Sequence, residues 1–212
     1  MPDYNSEADA VYPAIVEPLL AWYAAAARTL PWRENRDPYR VWVSEIMLQQ
    51  TRVEAVRAYY LRFMETFPDV QALAEAPEDT LLKAWEGLGY YARARNLQKT
   101  ARIIAARYGG VFPRSRDALM HLPGIGPYTA GAIASICFDL PEPAVDGNVL
   151  RVAARLTECF QPMEPLKNQI AKKLRAVYPS GRCGDFTQSL MELGAMVCLP
   201  GAPRCEQCPL SH

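Results

Sequence analysis

The sequence predicts an all-α protein on three observations. Apolar residues recur with the three-then-four spacing of a helix face, no stretch alternates convincingly with period two, and proline and glycine cut the 212-residue chain into short segments. About ten helices and no strand are expected, joined by loops of roughly two to eight residues. Nothing repeats at a fixed period and no low-complexity linker appears, so one compact helical body is expected, with room for two lobes.

Taken in order, the first helical segment with chemical content is Val43-Ser44-Glu45-Ile46-Met47-Leu48, where a carboxylate interrupts apolar sequence. Glu45 reads either as one half of an ion pair with an arginine or as an acid. Among Trp42, Ile46 and Met47 its charged form is disfavoured, which suits proton donation near neutral pH. Val53, Val56, Tyr60, Phe63 and Phe67 then mark one face of a helix that Pro68 ends. A similar stripe runs from Leu97 to Ile104 and ends at Gly109-Gly110. Ser115 to His121 reads as a short helix, Leu122-Pro123-Gly124-Ile125-Gly126 as a tight turn, and Pro127 as the first residue of a helix through Ile136. Two glycines before a helix N-terminus leave backbone amides free to cradle an anion such as a DNA phosphate; the alternative is an ordinary helix–helix turn. In Val145-Asp146-Gly147-Asn148-Val149 the carboxylate reads as a helix N-cap or as a catalytic group. Two carboxylates in unlike environments are a device for cleaving glycosidic bonds. The last stripe runs from Ile170 to Val177.

Charge and cysteine usage bound the function classes. The 23 Lys and Arg balance 23 Asp and Glu, so no global attraction to nucleic acid is expected, but the eight bases Lys83, Arg93, Arg95, Lys99, Arg102, Arg107, Arg114 and Arg116 face the single acid Glu86 between positions 83 and 116. That segment is a candidate anion-facing surface or a solvated helix face. No apolar run is long enough to span a membrane, and Asp3, Glu7 and Asp9 stand where a signal peptide carries basic residues, so a cytoplasmic protein is expected. Of six cysteines, Cys137, Cys159 and Cys183 are scattered and read as small packing residues. Cys198, Cys205 and Cys208 crowd together as C-x6-C-x2-C, three of the four thiolates that a zinc or iron–sulfur centre usually takes.

These strings together resemble the helix-hairpin-helix DNA glycosylases, and within them the MutY-type adenine DNA glycosylases, from Leu30-Pro31-Trp32-Arg33 to Cys208-Pro209-Leu210. The similarity is carried by Val41 to Thr51, Gly87 to Leu97, the L-P-G-I-G hairpin, Val145 to Val149 and Glu192 to Cys198. The resemblance implies a two-lobed helical fold with an active-site cleft between the lobes: one lobe over roughly 30–136, the other from the N-terminal helix plus roughly 137–197, then a truncated cysteine-rich cluster loop at 198–212. It implies excision of adenine mispaired with 8-oxoguanine or guanine in base excision repair, by a monomer acting on double-stranded DNA in a bacterial-type, nucleoid-associated setting, with base flipping.

By resemblance, Glu45 is the acid that protonates adenine, Asp146 stabilises the cationic sugar, Tyr128 lies beside that sugar and Asn148 orients the carboxylates. Trp32, Arg33, Leu48 and Glu192 are similar to adenine-pocket residues, and Gln50, Thr51, Leu88 and Tyr90 to residues that fill or probe the duplex; Trp32 and Leu48 also read as core, and Gln50-Thr51 as plain helix surface. Leu122, Gly124 and Gly126 are the phosphate-binding turn. Endonuclease III-like relatives place a Schiff-base lysine where this chain has Tyr128, so a monofunctional glycosylase is expected. The alternatives are an endonuclease III-like glycosylase/lyase and a non-catalytic helix-hairpin-helix module. The family's 4Fe-4S loop runs C-x6-C-x2-C-x5-C; Cys198, Cys205 and Cys208 match three ligands, and the fourth falls at position 214, beyond His212. A further C-terminal domain that helps read 8-oxoguanine is likewise absent from the 212 residues, so weaker discrimination against adenine:guanine is expected.

Overall fold

The computed structural model describes residues 5–159 and 163–211, and the side chains among them from residue 10 onward except Met163 and Glu164. Among the described residues there are twelve α-helices and no strand. The count exceeds the sequence expectation because the N-terminal segment is two helices, α1 (Asn5–Ala14) and α2 (Val16–Ala26). Pro13 lies inside α1 and has no amide to donate, and the two helices meet at Ile15, whose amide donates to Val11 and whose carbonyl accepts from Leu19.

The chain divides into two compact units, one of residues 29–133 and one of residues 1–28 with 134–212. The first holds α3 (Pro38–Met47), α4 (Val53–Thr66), α5 (Val70–Glu75), α6 (Glu78–Ala84), α7 (Ala92–Tyr108) and α8 (Arg116–Met120), with the start of α9 (Pro127–Phe138). Its core is aromatic: Phe63 meets Phe67 and Trp85 edge-on with centroids 4.8 and 6.0 Å apart, and Trp42 meets Phe112 at 5.4 Å. The expected stripe of α4 is the buried face, with Val56, Tyr60 and Phe63 essentially without solvent. α7 buries Ala94, Leu97, Ala101 and Ile104 and stops at Gly109 in the left-handed conformation. Its polar side chains finish the neighbouring helix: Gln98 Nε2 donates to the Ala76 carbonyl at 2.7 Å and Arg102 Nε to the Ala74 carbonyl at 3.1 Å, at the C-terminal end of α5.

The other unit packs Leu19 and Leu20 of α2 with α10 (Gly147–Leu156), α11 (Met163–Arg175) and α12 (Cys183–Met196). Val149, Val152, Ile170, Leu174, Phe186, Leu190 and Leu193 form its core. Where α10 crosses α12, Gly194 takes the contact: a Cβ there would lie 2.5 Å from Asn148 Cβ and 3.0 Å from its Cα. Only a residue without a side chain admits that approach. No helix among the described residues is long and apolar enough to cross a membrane.

Candidate active site

In the unit of residues 29–133, Glu45 lies on α3 among Trp42, Val43, Ile46 and Met47, all buried, and is itself 7% exposed. Tyr128, the second residue of α9, donates its hydroxyl to Glu45 Oε2 at 2.6 Å. The pair joins two elements 83 residues apart in sequence, and the hydrogen bond fixes the carboxyl's orientation in an apolar wall.

Asp146, in the other unit, takes the helix N-cap role that its sequence offered. It is the N-cap of α10, with Oδ1 accepting from the Val149 amide at 2.7 Å, while Oδ2 accepts from Asn148 Nδ2 at 2.9 Å. Burial raises its pKa above the ordinary 3.8, against the lowering effect of those donors and of Arg151. Asn148 Oδ1 accepts in turn from Arg151 Nη2 at 2.8 Å, and Arg151 also donates to the carbonyls of Gly194 and Cys198, both at 2.8 Å. The amide of Asn148 therefore has one side chain orientation that satisfies both its ends. Glu192 is 1% exposed and held by Arg28, which donates Nε to Oε1 at 2.6 Å and Nη2 to Oε2 at 3.0 Å in the forked geometry that matches a carboxylate.

Seven further expected site residues fall into three groups within the first unit. Trp32, in a 3-10 turn at Pro31–Arg33, is buried edge-on against Tyr60 at 5.4 Å, and Arg33 beside it is half-buried. Leu48, half-buried, ends α3; Gln50 and Thr51 follow in the loop before α4, Gln50 exposed with φ 59° and Thr51 half-buried. Leu88 is buried and Tyr90 is 67% exposed with φ 48°, in the loop before α7. Trp32 and Leu88 are thus core residues of their unit, whatever else they touch.

The hairpin has the geometry its letters suggest. Leu122 and Ile125 point inward at 4% exposure each, Gly124 takes φ 76° and Gly126 precedes Pro127. The amides of Gly124 and Gly126 donate to no protein acceptor among the described residues, which leaves both for an external anion at the positive end of α9. Thr100 of α7 anchors the turn by donating to the Pro123 carbonyl at 2.7 Å.

Four of the eight bases of the basic run have partners within the protein: Arg93 donates to backbone carbonyls, Arg95 pairs with Glu78 at 2.8 Å, Arg102 reaches the Ala74 carbonyl and Lys83 pairs with Glu86 at the surface. Charge tallies along a sequence omit these internal acceptors. Burial, with the neighbouring Cys198 and Cys205, pushes the Cys208 thiol up, but among the described residues no three Cys, His, Asp or Glu side chains are gathered closely enough to hold a metal ion. Arg155 Nη1 instead donates to Cys198 Sγ at 3.2 Å. As folded here the three thiols do not fit a cluster, and no chemical step is assigned to one. Sequence reading missed Arg28 and Arg151 and took Arg93 only as one of a basic run; each contacts backbone or side chains of distant elements and leaves no local pattern.

Residues 43–179 match the family described as HhH-GPD superfamily base excision DNA repair protein. The chain is similar to the adenine DNA glycosylase of Buchnera aphidicola subsp. Baizongia pistaciae, 42% identical over 91% of this chain and 55% of that protein, and to that of Homo sapiens, 44% identical over 91% of this chain and 37% of that one. It spans about half or less of these relatives' length. Among solved structures it is similar to a thermostable thymine-DNA glycosylase, with TM-score 0.86, 29% identity and coverage of 95% of this chain and 94% of the other. It is also similar to endonuclease III in a non-covalent DNA complex, with TM-score 0.79, 26% identity and coverage of 95% and 92%. A match across 43–179 that takes in Glu45, the hairpin, Asp146 and Asn148 makes the chain a member of the HhH-GPD superfamily of base excision DNA repair proteins.

Proposed function

We propose that the chain is the catalytic portion of a monofunctional adenine DNA glycosylase that removes adenine paired with 8-oxoguanine or guanine from double-stranded DNA, acting as a monomer in the cytoplasm. The reading is carried by two carboxylates in unlike settings: Glu45 in an apolar wall under one hydroxyl, and Asp146 fixed by a backbone amide and a side-chain amide. The adenine DNA glycosylase relatives support it. The adenosine is extruded from the duplex. Glu45 gives its proton to the adenine ring, the N-glycosidic bond breaks with its electron pair leaving on the base, and water adds to the sugar carbon as its proton departs. Asp146, fixed in place by its donors, supplies the carboxylate that stabilises the oxocarbenium-like sugar at the transition state. Tyr128 holds the Glu45 carboxyl, Asn148 holds Asp146, and Glu192, with Trp32, Arg33 and Leu48, recognises the base. Gln50, Thr51, Leu88 and Tyr90 address the duplex, and the Gly124 and Gly126 amides bind a phosphate irrespective of sequence.

A lyase needs an amine that forms an imine with the abasic sugar. Position 128 carries a phenol engaged with Glu45, and the unit of residues 29–133 has only two lysines, Lys83 and Lys99, of which Lys83 pairs with Glu86. Asp146→Asn tests the assignment: it is expected to bind an adenine:8-oxoguanine duplex with unchanged affinity and to release no adenine. Adenine production at the unmodified protein's rate contradicts it and favours a non-catalytic hairpin module.

A further inference from the structure

Arg93, in the first turn of α7, directs its guanidinium at the backbones of two separate loops. Nη1 donates to the carbonyls of Ile46 at 2.8 Å, Met47 at 3.2 Å and Gln49 at 2.6 Å. Nη2 donates to those of Leu88 at 3.0 Å and Gly89 at 3.4 Å. The first two belong to the C-terminal end of α3, where a helix leaves acceptors unsatisfied and its dipole is negative, and the third to the turn just after it. The guanidinium also stands 5.4 Å from the Trp85 ring centroid and 5.7 Å from that of Tyr90, and Trp85 Nε1 donates to the Gly89 carbonyl at 3.0 Å. Each of the two loops so joined holds one exposed non-glycine residue in the left-handed region, Gln50 at φ 59° and Tyr90 at φ 48°. Such a backbone persists only where its surroundings over-determine it. A planar fork with donors on both sides does that for two loops at once, whereas a lysine ammonium is a single point.

We propose that Arg93 is a positioning residue that locks the 48–52 and 87–91 loops into one duplex-reading element, setting the register in which Gln50 and Tyr90 meet the DNA. It touches no reacting atom. The inference rests on the reading of those loops as duplex-facing, and its consequence falls on recognition of the mispair.

The test is a binding cycle on Arg93→Lys, Tyr90→Ala and the double variant. The probe is a fluorescein-labelled duplex carrying 2′-fluoro-2′-deoxyadenosine, whose glycosidic bond resists cleavage, opposite 8-oxoguanine; a fully matched duplex serves as reference. Each single variant is expected to weaken mispair binding roughly tenfold with the matched duplex nearly unaffected, and the double variant to be no weaker than about twofold beyond either single, because both remove one coupled feature. Arg93→Gln, run in parallel, is expected to behave as Arg93→Lys does. In single-turnover base release the loss is expected in the enzyme concentration giving half the maximal rate rather than in that maximal rate. Wild-type mispair affinity in Arg93→Lys, or singles that multiply to about a hundredfold in the double variant, would overturn the proposal. So would equal loss on matched and mispaired duplexes, the signature of a merely structural arginine. Binding is read without chemistry, so failure of the wild-type protein to release adenine would sink the glycosylase reading while the coupling of Arg93 to Tyr90 is still decided.

Discussion

Asp146 carries a fold cost that follows from its burial. Burial raises its pKa above 3.8, so the folded chain holds that proton more tightly than the unfolded chain does. The stability associated with the protonated form is fully present below pH 3.8 and is lost as pH rises through the folded value. At neutral pH the charge therefore opposes folding. Asp146→Asn removes that charge, and at any pH also loses the acceptor for Asn148 Nδ2, so the melting temperature of the unmodified protein relative to the variant is expected to fall as pH rises from 4 to 7, and a difference that does not change with pH contradicts the burial argument. Tyr128→Phe removes a donor from the buried Glu45 carboxyl. Leaving such a group one hydrogen bond short costs about 1–3 kcal/mol, so a lower melting temperature and slower base release are expected, measured by thermal denaturation and single-turnover kinetics. Both carboxylates were legible in the sequence because a charge inside apolar letters is conspicuous. Their partners were legible only through the resemblance, and Arg28 not at all, since its fork on Glu192 spans 164 positions.

Helix packing supplies the next scale, and Gly194 is its sharpest point. The glycine lets α12 lie directly against the first turn of α10, where Asp146 and Asn148 are held. Adding a methyl group at Gly194 forces the backbone of Asn148 away, since the nearest atoms include its Cα at 3.0 Å and its carbonyl carbon at 3.1 Å. Gly194→Ala is expected to cost about 1–3 kcal/mol in stability, read from denaturant unfolding, and to slow base release more than it weakens DNA binding. Full stability and full rate in that variant would show that the α10–α12 contact is slack. Periodicity revealed α4, α7 and α11 because each has one long apolar face. The short helices α5, α6 and α8 have five to seven residues and too few turns to display a face, and the break at Ile15 follows from Pro13 rather than from any change of pattern.

For the molecule as a whole, an all-α fold was readable from letters alone, whereas its division after Arg28 and Ile133 was not, because α9 is uniformly apolar and carries no boundary signal. The overall charge balance has a measurable consequence. With Arg93 and Arg102 engaged on backbone carbonyls and Lys83 and Arg95 each beside an acid at the surface, phosphate contacts are expected from a few groups and the hairpin amides. The salt dependence of duplex affinity is expected to correspond to about five phosphate contacts, and a slope typical of ten or more contradicts that distribution. The most direct measurement of the central claim incubates the protein with a duplex bearing adenine opposite 8-oxoguanine and, without alkali or heat, quantifies free adenine and strand integrity together. Stoichiometric adenine with an unbroken sugar–phosphate backbone is expected; a nicked strand accompanied by a borohydride-stable protein–DNA adduct, or no free adenine, would contradict the account.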